Sequence, residues 1–255
     1  MIHPSNKTAI NLAINFFKGN YALSFAAIAI LFVISLLNFI PIIGIFFLIS
    51  YAIFSLSIQI YFAKAIEEIE NEEDMEDIAA STKIGEFLNK YFSTAAGGFS
   101  GLLIIGILLS ILIGILLAAF GSTSISIEQM QGMNEEQIAM TLASTYSIPV
   151  LIISLLIGFL FYIFPGVMGY IMSSNDFNEA FKNSFLLLNP KFWSRTFNKK
   201  YFLLILFWSI IITIATILLF FLSATVILIP IVIILGYLLS LYNAAIYIFS
   251  KELLK

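Results

Sequence analysis

Six stretches of this chain, at about 21–38, 42–63, 99–120, 148–172, 201–222 and 226–249, run without a single Asp, Glu, Lys, Arg or His. Each is long enough, as a helix, to cross about 30 Å of hydrocarbon. In lipid every backbone N–H and C=O must find its partner inside the segment, and a helix supplies that. The pattern predicts an all-α fold, a polytopic transmembrane bundle of six helices. Composition agrees: 61% of the 255 residues are hydrophobic and 11% are charged, against about 25% charged in a soluble domain.

The charges then set the topology. Lys7 and Lys18 precede the first stretch; Lys64, Lys83 and Lys90 lie between the second and third; Lys182, Lys191, Arg195, Lys199 and Lys200 lie between the fourth and fifth; Lys251 and Lys255 follow the sixth. The three alternate connections hold none of the 12 Lys and Arg residues. By the positive-inside rule both termini and the charged connections face the cytoplasm of a bacterial cell, in its cytoplasmic (inner) membrane. The basic residues ahead of the first stretch resemble a signal peptide, but no small-residue cleavage site follows, so an uncleaved first helix is expected.

Under this topology a unit repeats. Connections at 38–41 and 223–225 are short enough to force antiparallel hairpins, giving three hairpin units at about 4–66, 78–172 and 176–251 within one integral membrane domain spanning 1–255. Each is preceded by a cytoplasmic amphipathic segment, with Ile10, Ile14 and Phe17 on one face of the first, Ile84, Phe87, Leu88 and Tyr91 on the second, and Phe177, Phe181, Phe185 and Leu188 on the third. Spacings of three, four and seven mark one helical face. Each approaches its span with Phe and Tyr four apart and Lys between: Phe17-Lys18-Gly19-Asn20-Tyr21, Phe87-Leu88-Asn89-Lys90-Tyr91 and Phe197-Asn198-Lys199-Lys200-Tyr201. This reads as an interfacial helix with lysine snorkelling and tyrosine anchoring at the headgroups. Pro41, Pro149 and Pro230 lie near the outer end of each second span. Parallel repeats of this kind are related by an axis along the membrane normal.

Within the spans, Gly106, Ser110, Gly114 and Ala118 recur at intervals of four and form a stripe for close helix packing, against a neighbouring span or a second copy of the chain. The polar exceptions are Gln59 and Asn243, with Tyr51, Tyr61, Tyr237 and Tyr247 nearby. They serve interhelical hydrogen bonds or, with a kink or break at Phe164-Pro165-Gly166, line a cavity between hairpins. With no ionisable residue in any span, a proton-coupled transporter, pump or voltage sensor is disfavoured.

Outside the spans, residues 67–77 carry eight carboxylates (Glu67, Glu68, Glu70, Glu72, Glu73, Asp74, Glu76 and Asp77) without the glycine spacing of a calcium loop,. They read as a solvated acidic cytoplasmic strip. Asp176 and Glu179 suit a capping box, and Asn189-Pro190 ends one helix and starts another. Trp193, among Phe192 and Phe197 and interleaved with Lys191, Arg195, Lys199 and Lys200, suits an anionic lipid surface. In the outer loop 121–147, Asn134 can cap a short helix bearing Ile138 and Leu142. Met130, Met133 and Met140 lack the His or Cys that a copper(I) site would recruit. His3 receives no role, and the absence of Cys excludes thiolate chemistry and disulfides.

The run Asp176-Phe177-Asn178-Glu179-Ala180-Phe181-Lys182-Asn183-Ser184-Phe185, followed by Phe192-Trp193-Ser194-Arg195-Thr196-Phe197, resembles a pattern of six-helix bacterial inner-membrane proteins of the YciC-like kind. It also resembles the membrane domain attached to some glycerophosphoryl diester phosphodiesterases. Ala9 through Phe17, leading into Lys18, resembles the same family's opening segment. The likeness covers the ends of the chain well and the middle poorly. It implies a six-helix membrane fold but little chemistry, and the phosphodiesterase activity, which belongs to a soluble domain, does not carry over.

These observations lead to two expectations. The first is a non-catalytic membrane protein with an envelope or lipid-related role, its partners being membrane lipids, other membrane proteins or a second copy of itself. The second is a transporter or channel for a neutral or lipidic solute, using a cavity near Gln59, Asn243 and Pro165. An intramembrane enzyme is disfavoured because the spans offer Ser, Thr and Tyr without a base. No cofactor is expected, and a net charge of −3 without a compact basic patch gives no reason to expect nucleic acid.

Overall fold

The computed structural model describes residues 2–121 and 133–255, and its regular structure is helical throughout these. In chain order the helices are α1 (Asn6–Gly19), α2 (Tyr21–Leu37), α3 (Gly44–Glu68), α4 (Asp74–Ser81), α5 (Ile84–Asn89), α6 (Phe92–Gly121), α7 (Glu135–Ser173), α8 (Phe177–Ser184), α9 (Pro190–Thr196), α10 (Lys199–Ser223) and α11 (Ile229–Leu253). Short 3-10 turns at Phe185–Leu188 and Val226–Leu228 lead into α9 and α11. Residues 122–132 of the outer loop, with Met130, lie outside the described residues.

Among the described residues, five stretches are long and apolar enough to cross a membrane: Gly44–Glu68, Ile84–Ala119, Ser147–Met172, Lys199–Ser223 and Ile229–Leu253. A sixth arises if Asn6–Gly19 and Tyr21–Leu37, bent by 98° where they meet, are taken together. The described residues are all-helical in their regular structure, with five to six candidate spans, compatible with a multi-pass membrane protein.

Asparagine and aspartate place the helix starts. Their side chains satisfy N–H groups that the first turn leaves without intrahelical partners. Asn20 Oδ1 accepts from Leu23 N at 2.9 Å, Asn198 Oδ1 from Tyr201 N at 2.8 Å, Asn189 Oδ1 from Lys191 N at 2.9 Å and Asn134 Oδ1 from Gln137 N at 2.8 Å. Asp176 accepts from Glu179 N at 2.9 Å, while the Glu179 carboxylate reaches back to Asn175 N, one residue earlier than a capping box requires.

The described residues fall into two compact units, one made of the chain up to Leu102 together with Ile163–Lys255, the other of Leu103–Tyr162. In the first, the inner half of α11 is the hub. Leu241, Tyr242 and every residue from Ala244 to Ser250 are buried. Helices α1, α2, α3 and α10 pack on α11, and α7 meets it where Gly169 lies against the Tyr247 backbone carbonyl. In the second unit many apolar side chains are uncovered. Ile107, Ile111, Ile115, Leu151 and Leu155 are each more than half exposed. Helices that are apolar all round need lipid or protein over them.

Two expectations change here. Helix α7 runs unbroken from Glu135 to Ser173, through both Pro149 and Pro165, so no break occurs at Phe164-Pro165-Gly166. The Tyr201 hydroxyl supports the chain at that point, accepting from Gly166 N at 3.3 Å and donating to Ile163 O at 3.4 Å. The acidic strip is also not merely solvated. Asn11 donates to the Glu72 carboxylate at 2.8 Å, Asn15 to the Glu72 carbonyl at 2.9 Å and Asn20 to the Ala79 carbonyl at 3.1 Å, which ties the 72–79 segment along α1. Met75 and Ala79 are buried beneath it.

A side chain at Gly169 would overlap the Tyr247 carbonyl and the Lys251 side chain, whereas a Cβ built at Gly106 meets no described atom within 4 Å. Gly169→Leu should therefore destabilise the protein by about 1–3 kcal/mol in a detergent melting experiment. Gly106→Leu should stay within about 0.5 kcal/mol. Equal losses in the two variants would contradict the close approach of α7 to α11.

Candidate functional site

Within the first unit, α2, α3 and α11 enclose a cleft of about 250 Å³. Each helix contributes one face: Ile28, Leu31 and Ser35 from α2, Tyr51 and Ser55 from α3, Ile233, Gly236, Tyr237 and Ser240 from α11. The three- and four-residue steps place these side chains in one stripe per helix. Gly236 leaves the space open, since a Cβ there meets nothing within 4 Å among the described residues.

The polar groups on these walls are all hydroxyls: Ser35, Tyr51, Ser55, Tyr237 and Ser240. Ser240 donates to the Tyr237 carbonyl at 2.7 Å, and Ser55 accepts from Gln59 Nε2 at 3.4 Å. Tyr237 is 6% exposed, and its hydroxyl lies beside Ser24 Oγ. Neither of these hydroxyls makes a well-formed hydrogen bond among the described residues. A buried hydroxyl without a partner costs about 1–3 kcal/mol. With Ser35, Tyr51, Ser55 and Ser240 on apolar walls, the cleft can accept a neutral polar group by hydrogen bonding. It carries no carboxylate, imidazole or amine for acid–base work,.

The residues expected to form a cavity are placed apart. Gln59 stands one turn behind Ser55 and reaches the cleft only through it. Asn243 accepts from Trp208 Nε1 at 2.8 Å and joins α11 to α10. Pro165 is buried beside the Tyr201 hydroxyl contact. None of the three lines the cleft. Tyr51 and Tyr237, noted in the sequence for their positions, do. The signal that could have found the site was the pairing of Ser55 with Tyr51 and of Ser240 with Tyr237 at helical spacing.

The cationic and aromatic residues divide in the same manner. Lys18, Lys90, Lys191, Arg195, Lys199 and Lys200 are exposed. Tyr21 is 52% exposed and stacks edge-on against Phe17 at 5.3 Å, and Lys90 sits over the rings of Tyr91 and Tyr61 at 5.4 and 5.8 Å. Tyr201 departs from this pattern. It is fully buried, held in place by the α7 contact described above, and so is a core residue rather than a headgroup anchor. Trp193 is half-buried and donates its indole N–H to the Leu187 carbonyl at 2.9 Å.

Gly106, Ser110, Gly114 and Ala118 are all exposed, and no described atom approaches a Cβ built at Gly106 or Gly114. Ser110 instead bonds back to the Gly106 carbonyl at 2.8 Å. Sequence reasoning missed Glu67, which it placed in the acidic strip. The Glu67 carboxylate accepts from Lys251 at 2.8 Å and from Ser173 Oγ at 2.8 Å, and pairs with Lys64 at 3.7 Å. It thus ties α3, α7 and α11 together. Nothing in a run of eight acids distinguishes this one.

No family model, curated protein or solved structure matches the chain.

Tyr237→Phe removes a buried hydroxyl that makes no well-formed hydrogen bond among the described residues, and keeps the ring. It should raise the stability of the purified protein in detergent by up to about 1 kcal/mol, read as a higher melting temperature. A clear loss of stability would mean that the hydroxyl is already satisfied.

Proposed function

We propose that this chain is a non-catalytic, lipid-associated protein of a bacterial cytoplasmic membrane. It is arranged as three hairpins, each led by an interfacial amphipathic segment, with both termini in the cytoplasm. The single observation that carries this reading is the placement of all 12 Lys and Arg residues on the connections of one side. Three further features support it. The 98° bend between α1 and α2 suits a helix that lies in the membrane plane before the chain turns inward. Helix α1 buries Ala9, Leu12, Ala13 and Phe16, which leaves Ile10 and Ile14, one position round the helix, for lipid or a partner, while Phe17 packs on Tyr21, Phe25 and Tyr237. Lys191, Arg195, Lys199 and Lys200 are exposed and available to anionic headgroups. The likeness to YciC-like proteins belongs to this reading, as does association with other membrane proteins or a second copy through the exposed stripe at Gly106, Ser110, Gly114 and Ala118.

Because the chain has no Cys, its topology can be tested with single cysteines. Thr225→Cys should react with an impermeant maleimide in intact cells, and Ser81→Cys only after permeabilisation. Replacing Lys191, Arg195, Lys199 and Lys200 together by Ala should weaken retention of anionic lipid by about tenfold or more in native mass spectrometry. Reversed labelling, or unchanged retention, overturns the reading.

A second reading is favoured by the hydroxyls of Ser35, Tyr51, Ser55 and Ser240 on the apolar cleft walls: a site for a neutral solute or neutral lipid, used for binding or passage. Gly236→Phe, whose first added carbon meets no described atom, should plug the cleft. Loss of diacylglycerol retained on purification is the expected result, and equal retention by both proteins counts against the cleft.

A further inference from the structure

Two cavities of the first unit share a wall. One, of about 550 Å³, is bordered by His3, Ser5, Asn6 and Lys200 and continues past Leu203 and Phe207 to Ile211. The other, of about 200 Å³, begins at Ile211 and is lined by aliphatic side chains and the ring of Tyr242. Ile10 and Ile14 of α1 form its roof, and Ala215 and Leu218 of α10 its floor.

Helix α10 supplies one continuous track through both. Lys200, Leu203, Phe207, Ile211, Ala215 and Leu218 follow one another by three or four residues and so occupy one face,. The small side chain of Ala215 gives the track depth. From Phe207 to Leu218 the helix rises about 16 Å at about 1.5 Å per residue, which matches one leaflet, half of about 30 Å of hydrocarbon.

The two ends differ in chemistry. Lys200 is exposed, and neither it nor His3 forms an ion pair among the described residues. The neighbouring polar groups are already engaged. Ser5 accepts from Thr8 N at 3.1 Å. Asn6 donates to the Leu204 carbonyl at 3.2 Å and accepts from the Tyr242 hydroxyl at 2.6 Å. The last two bonds fix the start of α1 across α10 and α11, so the roof is held in place. A free amine and an imidazole thus stand at the mouth of an otherwise apolar track.

We propose that this groove holds one anionic glycerophospholipid, with its phosphate at Lys200 and His3 and one acyl chain running past Phe207, Ile211 and Ala215 beneath Ile10 and Ile14. The proposal deepens the lipid-associated reading and rests on it, since the lysine-rich end is taken as the headgroup side. It accounts for two features: Ile10 and Ile14 of α1, which lie off its buried face, and a lysine, Lys200, with no ion pair among the described residues.

The test is native mass spectrometry of the full chain in dodecyl maltoside, titrated with dioleoyl phosphatidylglycerol and, separately, dioleoyl phosphatidylcholine. The unsubstituted protein should take up one phosphatidylglycerol in preference to phosphatidylcholine. Lys200→Ala should weaken that binding by about fivefold, the worth of one basic residue at an anionic headgroup. Ala215→Phe should weaken it at least as much while leaving every charge in place, and Leu218→Phe, at a more exposed position, stands in if Ala215→Phe fails to fold. Lys199→Ala, which borders neither cavity, should change it by less than about twofold. If Lys199→Ala and Lys200→Ala weaken binding equally and both phenylalanine variants bind normally, the groove is overturned and the charged collar stands. No preference for phosphatidylglycerol in the unsubstituted protein overturns both.

Discussion

The first unit is built on the inner half of α11. Its run from Ala244 to Ser250 is wholly buried. Between membrane helices the apolar effect offers little net drive, because lipid tails are as apolar as the side chains, so close packing has to supply the contact energy. Gly169 lets α7 rest on the Tyr247 carbonyl. Trp208 reaches Asn243 from α10, and Tyr242 holds Asn6 at the start of α1. The polar contacts are few, but each joins two helices, which is where a hydrogen bond in an apolar medium specifies an arrangement.

From that hub the charged end follows. Glu67 gathers Lys64, Lys251 and Ser173, so three helices are pinned together at one level. The asparagines at 11, 15 and 20 lash α1 to the acidic segment. Helix α1 is therefore a two-faced element, with one side in the core and the other roofing the groove over α10. The hydroxyl-lined cleft and the amphipathic groove both exist because α2 and α10 cover α11 incompletely. Gly236 and Ala215 mark where coverage is thinnest.

Much of this was legible from the residues alone, because the physics involved is local. Apolar run length sets which segments can span, and capping side chains act within three residues of their own backbone, so Asp176, Asn134 and Asn189 could be assigned as helix starts from the sequence. What could not be read was which partner each polar side chain would meet. Tyr201 matches Tyr21 and Tyr91 in motif, yet it is buried against α7 while Tyr21 is exposed. Pro165 announced a break, but the hydroxyl that supports the chain there comes from residue 201. Gln59 and Asn243 drew attention as polar residues in apolar spans, yet the cleft opens beside them, at Tyr51, Ser55, Tyr237 and Ser240.

The sequence by itself determined the helical class, the apolar segments that are candidates to cross a membrane and the separation of charge onto alternate connections. These follow from hydrophobic length and backbone hydrogen bonding, which depend on nearest neighbours along the chain. Only the tertiary structure decided which face of α1 is core, which tyrosine is buried and which exposed, and where the cleft and the groove lie. Those depend on the rotation of each helix about its axis. In a helix apolar on every side, such as α2 or α10, no sequence pattern sets that rotation, and packing alone resolves it.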